Sequence, residues 1–207
     1  MSSSAIGLIT GGSRGLGRAT ALKLAESGTD VIITYRSGKD EATSVVEAVE
    51  ALGRRAVALR LDTTDFVNVK GVMYVVKAVL PHLLEAANST DRQVADVINI
   101  SSVAGRVATA GVAIYNAGKF GVTAATEAWR QEFGDRNLRF SVIEPGAVDT
   151  ELFGHQQGHA KEAESRRFEG VEKLHPEDVA DAIAYIATSP RRRAINEIVI
   201  RPTDQKF

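Results

Sequence analysis

The sequence predicts an α/β protein in which a doubly wound parallel sheet carries helices on both faces. Three observations lead there. Short apolar or β-branched runs alternate along the chain with longer segments of helical period. Glycines close several of these segments, at Gly28 and Gly53 for example, where a helix C-terminus favours a residue without Cβ. A glycine-rich turn from Thr10 to Gly17 joins the first strand to the first helix. A chain of 207 residues, 44% hydrophobic and 25% charged, fits one globular domain over residues 1–207.

Ala5–Thr10 reads as a buried strand, Arg18–Ser27 as a helix, Val31–Tyr35 as the second strand, and Glu41–Leu52 as a helix with Val45, Val46 and Val49 on one face. Ala56–Leu61 is the third strand. Val67–Ala87 is rich in valine, which favours strands. Its apolar residues Val69, Val72, Val76, Val79 and Leu83 nevertheless recur at helical spacing, so it is expected to be a helix, bent near Pro81. Val94–Ile100 is a strand, Ile114–Phe133 a helix and Leu138–Ile143 a strand. Pro176–Thr188 is a helix with Glu177 and Asp178 in its first turn, and Glu197–Ile200 is the last strand. Right-handed crossovers then give six strands in the order 3-2-1-4-5-6. Residues 151–175 are polar and without period, the place for a substrate lid, with Leu152, Phe153 and Phe168 as its apolar members.

Composition removes several classes of function. A net charge of −1 gives no footprint for nucleic acid or an acidic membrane surface. Arg191-Arg192-Arg193 reads as a solvated loop. With no cysteine there is no disulfide, thiolate catalysis or zinc–cysteine site. His82, His155, His159 and His175 lack metal-ligand spacing, so no metal is expected. The first residues lack a charged signal region, and no apolar run reaches membrane-spanning length; a cytoplasmic protein is the simplest expectation.

The glycine turn carries the first functional reading. Strand, then Thr10-Gly11-Gly12-Ser13-Arg14-Gly15-Leu16-Gly17, then helix is a Rossmann-like phosphate-binding arrangement. Glycines let the backbone approach a pyrophosphate, and the helix N-terminus offers it free N–H groups. Two other motifs overlap these residues. A P-loop would need Lys and Ser/Thr where Arg18-Ala19 stand. Gly11-Gly12-Ser13-Arg14-Gly15 also fits a hydrolase nucleophile elbow, with Asp149, His155 and His159 as later partners, but on a first strand that fold does not favour. Tyr35 and Arg36 end the second strand where an acidic residue would select NAD. Arg36, with Arg14 as a second jaw, selects a 2′-phosphate, hence NADP(H). Asp62, ending the third strand, is placed to hold the adenine.

The second reading rests on Ser101-Ser102, Tyr115 and Lys119. Tyr115 and Lys119 lie one helical turn apart on one face. The reference pKa of a phenol is about 10, and a neighbouring ammonium favours its ionised form. Ser102 would hydrogen-bond a substrate carbonyl while Tyr115 donates the proton. Together with the glycine turn, these residues resemble the short-chain dehydrogenase/reductase family. The resemblance also covers Asp62, Asn68-Val69-Lys70-Gly71 and Pro145-Gly146-x-x-x-Thr150. It implies a proton relay through Asn68 and Lys119, a hold of Lys119 on the nicotinamide ribose, and a nicotinamide lined by Pro145, Gly146, Val148 and Thr150. It implies too an NADP(H)-dependent oxidoreductase acting on a small carbonyl/alcohol pair, working as a homodimer or homotetramer through the exposed faces of Val67–Ala87 and Ile114–Phe133. Trp129 on the latter helix is expected to pack in a core or interface.

One departure stands against that pattern. The family carries a further helix and a strand ending Asn-Asn-Ala-Gly between Asp62 and Asn68, where this chain has only Thr63–Val67. Asn116-Ala117-Gly118 is no substitute, because it lies within the Tyr115–Lys119 helix. The Val94–Ile100 strand would then sit beside the first strand, moving Ser102 and Tyr115 by about one strand spacing, ~4.8 Å. The competing expectation is therefore a dinucleotide- or partner-binding relative with weak turnover.

Overall fold

The computed structural model describes residues 5–61, 68–150, 168 and 170–206, with the side chain of Asn68 left out. Its elements are β1 (Ile6–Ile9), α1 (Gly15–Glu26), β2 (Asp30–Tyr35), α2 (Lys39–Ala51), β3 (Ala56–Arg60), α3 (Asn68–Ser89), β4 (Ala95–Ile100), α4 (Ala113–Phe133), β5 (Leu138–Pro145), α5 (Pro176–Ala187) and β6 (Glu197–Ile200). The valine-rich stretch is helical, as its period predicts, and α3 runs through Pro81. The α/β class with parallel pairing holds. The strands hydrogen-bond as two three-stranded sheets, β1-β2-β3 and β4-β5-β6. Each keeps the expected internal order, but the ladder expected between β1 and β4 is not among the described pairings. Ile6 and Leu8 are 64% and 44% exposed, the alternation of a half-covered strand rather than one buried on both faces.

The chain divides into two compact units. One holds residues 5–61, 145–184 and 200–207. Here α1 and α2 cover one face of the sheet, with Ala21, Ala25, Ala42, Val45 and Val49 packed on Val31 and Ile33. Because side chains alternate along a strand, the neighbouring positions point to the other face. That face carries Leu8, Ile32 and Val57 in register, and Val57 and Leu59 are half exposed. Among the described residues of this unit, the helices packed on the sheet lie on one face.

The other unit holds residues 62–144 and 185–199, with residues 1–4. All eight residues of β5 are buried. On one face Leu138 and Phe140 pack with Val76, Ala87 and Phe133, and Trp129 stacks near Phe140 at 5.8 Å, the packing role expected of it. Gly121 lets α4 approach α3, since a Cβ there would lie 2.9 Å from Val69 Cγ2. On the opposite face Arg139, 6% exposed, pairs with Asp96 directly across the strands. Its guanidinium donates to both Asp96 oxygens at 2.7 and 2.9 Å and to the carbonyls of Ser189, Pro190 and Arg193. That fork ties the α5–β6 connection to β5. Among the described residues no helix is long and apolar enough to cross a membrane.

Removing one partner of a buried ion pair strands the other charge. Asp96→Ala is therefore expected to destabilise the protein by about 3–5 kcal/mol, read as a fall in the urea midpoint. An unchanged midpoint would show that the carbonyls alone satisfy Arg139.

Candidate functional site

The glycine turn lies in the first of these units. Gly11 and Gly15 take positive φ values of 69° and 50°, which L side chains rarely adopt. Thr34, buried in β2, anchors the turn: its Oγ1 accepts from the Gly11 N–H at 3.3 Å and its carbonyl from the Gly12 N–H at 2.9 Å. A Cβ on Gly12 would stand 2.5 Å from Ile33 Cβ, and one on Gly17 would collide with the Gly11 carbonyl. The turn thus presses against β2 and against the first turn of α1, which begins at Gly15, three residues earlier than its apolar period suggests. Over Gly11 there is open space among the described residues: a Cβ there would meet none of their atoms within 4 Å. A strand, a glycine turn with open room above it, and a helix N-terminus form an anion cradle. These residues fit a dinucleotide pyrophosphate.

The other cofactor candidates in this unit fall as follows. Thr10, Arg14 and Arg36 are exposed, Leu16 and Tyr35 are half-buried, and Ser13 is buried. A nucleophile elbow would need the Ser13 hydroxyl in the open, so its burial speaks against that reading. Thr150 is brought to the glycine turn, its Cγ2 3.7 Å from where a Gly15 Cβ would lie. Val148 bridges to Leu174, and the Asp149 N–H donates to the Leu174 carbonyl at 2.8 Å. Gln205, which sequence reasoning missed, accepts the Ala147 N–H at 2.9 Å through Oε1 and fills the space beside Gly146. Asp62, Leu152, Phe153, His155 and His159 lie outside the described residues, as does most of the expected lid. Among the described residues no three potential metal ligands gather.

The residues expected to carry the proton chemistry lie in the second unit. Ser102 ends the segment after β4 and caps a short turn, its Oγ accepting from the Ala104 N–H at 3.2 Å. Tyr115 and Lys119 share one face of α4, with the Lys119 Nζ 5.7 Å from the Tyr115 ring centre. Tyr115 is 40% exposed. Burial lowers the pKa of Lys119 from the usual lysine value of 10.5 by penalising the charged form. Its ammonium donates to the Ile100 carbonyl at 3.2 Å. Asn68 begins α3, with its side chain outside the described atoms.

Four further residues, Asn116, Thr123, Glu144 and Arg106, hold this group, and sequence reading gave none of them a role. Asn116, buried inside the Tyr-x-x-x-Lys spacing, donates to the Ala104 and Val107 carbonyls at 2.7 and 3.2 Å and accepts the Thr109 N–H at 3.1 Å. It fixes the loop after Ser102 against α4. Glu144, fully buried, accepts from Thr123 Oγ1 at 2.9 Å and from Arg106 Nε. A signal for Glu144 was present: an acidic residue continuing an apolar strand almost always has a partner. The strand was expected to stop at Ile143, and that expectation hid it.

The family model described as short chain dehydrogenase matches residues 5–67 and 66–161, in two pieces that meet at the short 61–68 connection. An uncharacterized oxidoreductase of Staphylococcus saprophyticus is 30% identical, covering 97% of this chain and 96% of its own length. That match extends over 245 positions, more than the 207 residues of this chain. The glycine betaine reductase of Emericella nidulans is 29% identical over 97% of this chain, which spans only 19% of that protein's length. Among solved structures, a short chain dehydrogenase from Mycobacterium paratuberculosis bound to NAD superposes with a TM-score of 0.80 at 23% identity, covering 95% of this chain and 96% of that one. The fold, the family match and the full-length relative agree: this chain belongs to the short-chain dehydrogenase/reductase family of nicotinamide-dinucleotide-dependent oxidoreductases.

Proposed function

We propose that the protein is an NADP(H)-dependent oxidoreductase that interconverts a carbonyl and an alcohol, with Tyr115 as the acid/base. The observation that carries this reading is the buried Lys119 ammonium, 5.7 Å from the Tyr115 ring centre and one helical turn along α4. A cation held there favours the phenolate, which Tyr115 becomes each time it gives up its proton. A dinucleotide, when bound, would supply or take the hydride at the substrate carbon. In the reducing direction Tyr115 passes its phenolic proton to the substrate oxygen. Ser102, oriented by the Ala104 N–H, hydrogen-bonds that same oxygen. Lys119, with Asn68 as the next station, returns a proton to Tyr115. Lys119 would also hold the nicotinamide ribose, and Pro145, Gly146, Val148 and Thr150 would line the ring.

Preference for NADP(H) rests on Tyr35-Arg36-Ser37, which offers no carboxylate to a ribose 2′-hydroxyl at the end of β2. Arg36 is exposed there, and Arg14 is exposed in the glycine turn. A planar guanidinium binds a 2′-phosphate in bidentate fashion. The missing helix–strand unit belongs to the same reading. It is supported by the family match that breaks into two pieces at residues 66–67, and by relatives whose matches outrun this chain. The exposed apolar positions Leu8, Val57 and Leu59 on the uncovered face of the β1-β2-β3 sheet agree with it. Self-association as a homodimer or homotetramer is supported by exposed Met73 and Tyr74 on α3 and exposed Ile114 and Phe120 on α4.

Two outcomes check this. Tyr115→Phe is expected to cut kcat for NADPH-dependent reduction of a small aldehyde or ketone by about 100- to 10,000-fold, with NADPH binding kept. NADPH binding with no wild-type turnover across an aldehyde and ketone panel would instead favour a binding role. Arg36→Ala is expected to weaken NADPH by roughly 10- to 100-fold, the loss of one charge-assisted contact, while NADH is unaffected. Equal losses for the two cofactors in steady-state KM measurements would sink the 2′-phosphate assignment.

A further inference from the structure

Glu144 is a carboxylate with no solvent exposure, yet the proton path through Tyr115 and Lys119 does not use it. A buried charge is costly unless paired and hydrogen-bonded, so its partners show what it is for. Oε2 accepts from Arg106 Nε, and the other end of that guanidinium meets Glu197. Oε1 lies 2.9 Å from Thr123 Oγ1, which also lies 3.0 Å from Ser101 Oγ. The threonine hydroxyl has one proton, and the carboxylate is the stronger acceptor, so the proton points to Glu144. Ser101 in turn donates to the Lys119 carbonyl at 3.0 Å. The residue before it, Ile100, accepts from the Lys119 ammonium at 3.2 Å. Lys119 is therefore gripped at both its backbone and its side-chain end by two successive residues, Ile100 ending β4 and Ser101 just after it.

Gly105 closes this cluster. A Cβ there would lie 2.7 Å from Ser101 Oγ and 3.0 Å from both the Lys119 carbonyl and Thr123 Oγ1. The two hydroxyls and the carbonyl leave no room for a larger residue, so their spacing is fixed by packing as well as by hydrogen bonds.

We propose that Glu144, fixed by Arg106, is a positioning residue for the proton-transfer pair. It anchors Thr123 through the hydrogen bond from its hydroxyl, and this anchor, with the Ser101 hydroxyl donating to the Lys119 carbonyl, sets the register of α4 at Lys119 against the end of β4. This deepens the reading of Tyr115 and Lys119 as the acid/base pair and rests on it. Thr123 lies one turn beyond Lys119 on the same helix face, so a shift of the Thr123 anchor is passed to Lys119 directly. A displacement of about 1 Å at a reacting group costs on the order of 100-fold in rate.

The test is steady-state kinetics with NADPH on wild type, Glu144→Gln, Thr123→Val and Thr123→Ser, each run as a pH profile of kcat. Thr123→Val is expected to lower kcat about 10- to 100-fold and to move the pH limb of kcat, while the KM for NADPH stays within about twofold of wild type. Thr123→Ser, which keeps the hydroxyl, restores both. Glu144→Gln is expected to shift the same limb in the same direction. If it does not fold, the threonine pair decides the matter alone. A folded Thr123→Val with wild-type kcat and pH profile overturns the proposal. So does a loss that Thr123→Ser fails to rescue. Tyr115→Phe separates the two levels. If that variant stays active, the acid/base reading itself fails; if it is inactive while Thr123→Val is normal, only the positioning role is lost.

Discussion

The rest of the functional account depends on how closely the backbone approaches itself between Gly11 and Gly17. No side chain fits at Gly12 against Ile33 or at Gly17 against the Gly11 carbonyl. Thr34 binds the turn from beneath through both its hydroxyl and its carbonyl. The first N–H groups of α1 are therefore delivered at a fixed place beside β1 and β2, and the space over Gly11 stays open. An anion meets a rigid set of donors and pays little to order them. The cost falls on the sequence, which can tolerate no Cβ at Gly12 or Gly17.

The second part of the chemistry is built on a different principle. Around Ser102, Tyr115 and Lys119, buried polar groups do the fixing. Asn116 holds the loop after Ser102 by three hydrogen bonds, and Glu144, Thr123 and Ser101 converge on Lys119. Such networks are stable only when every member is satisfied. Among the described residues no buried side-chain nitrogen or oxygen lacks a partner. Lys119 sits where burial opposes its charge, and its bond to the Ile100 carbonyl offsets part of that penalty.

Much of this was legible in the sequence, and the reasons are local. The glycine turn, the Tyr115–Lys119 spacing and the helical period of α3 depend on residues close together in the chain, so spacing alone reveals them. Element ends shifted by only a few residues: α1 starts at Gly15 and β5 continues to Pro145. What stayed hidden depends on contacts across long separations. Thr34 beneath the glycine turn, Gln205 against Ala147, and Glu144 between Arg106 and Thr123 leave no periodic mark. Counting crossovers gives the strand order, and the order within each three-stranded sheet follows it.

The central claim is that the glycine turn binds a phosphorylated nicotinamide dinucleotide, and one measurement reaches it before any substrate is known. NADPH titrated onto the wild-type chain, followed by isothermal calorimetry, should bind saturably with one site per chain, and NADH should bind more weakly under the same conditions. Absence of saturable binding by either dinucleotide would contradict the account at its base.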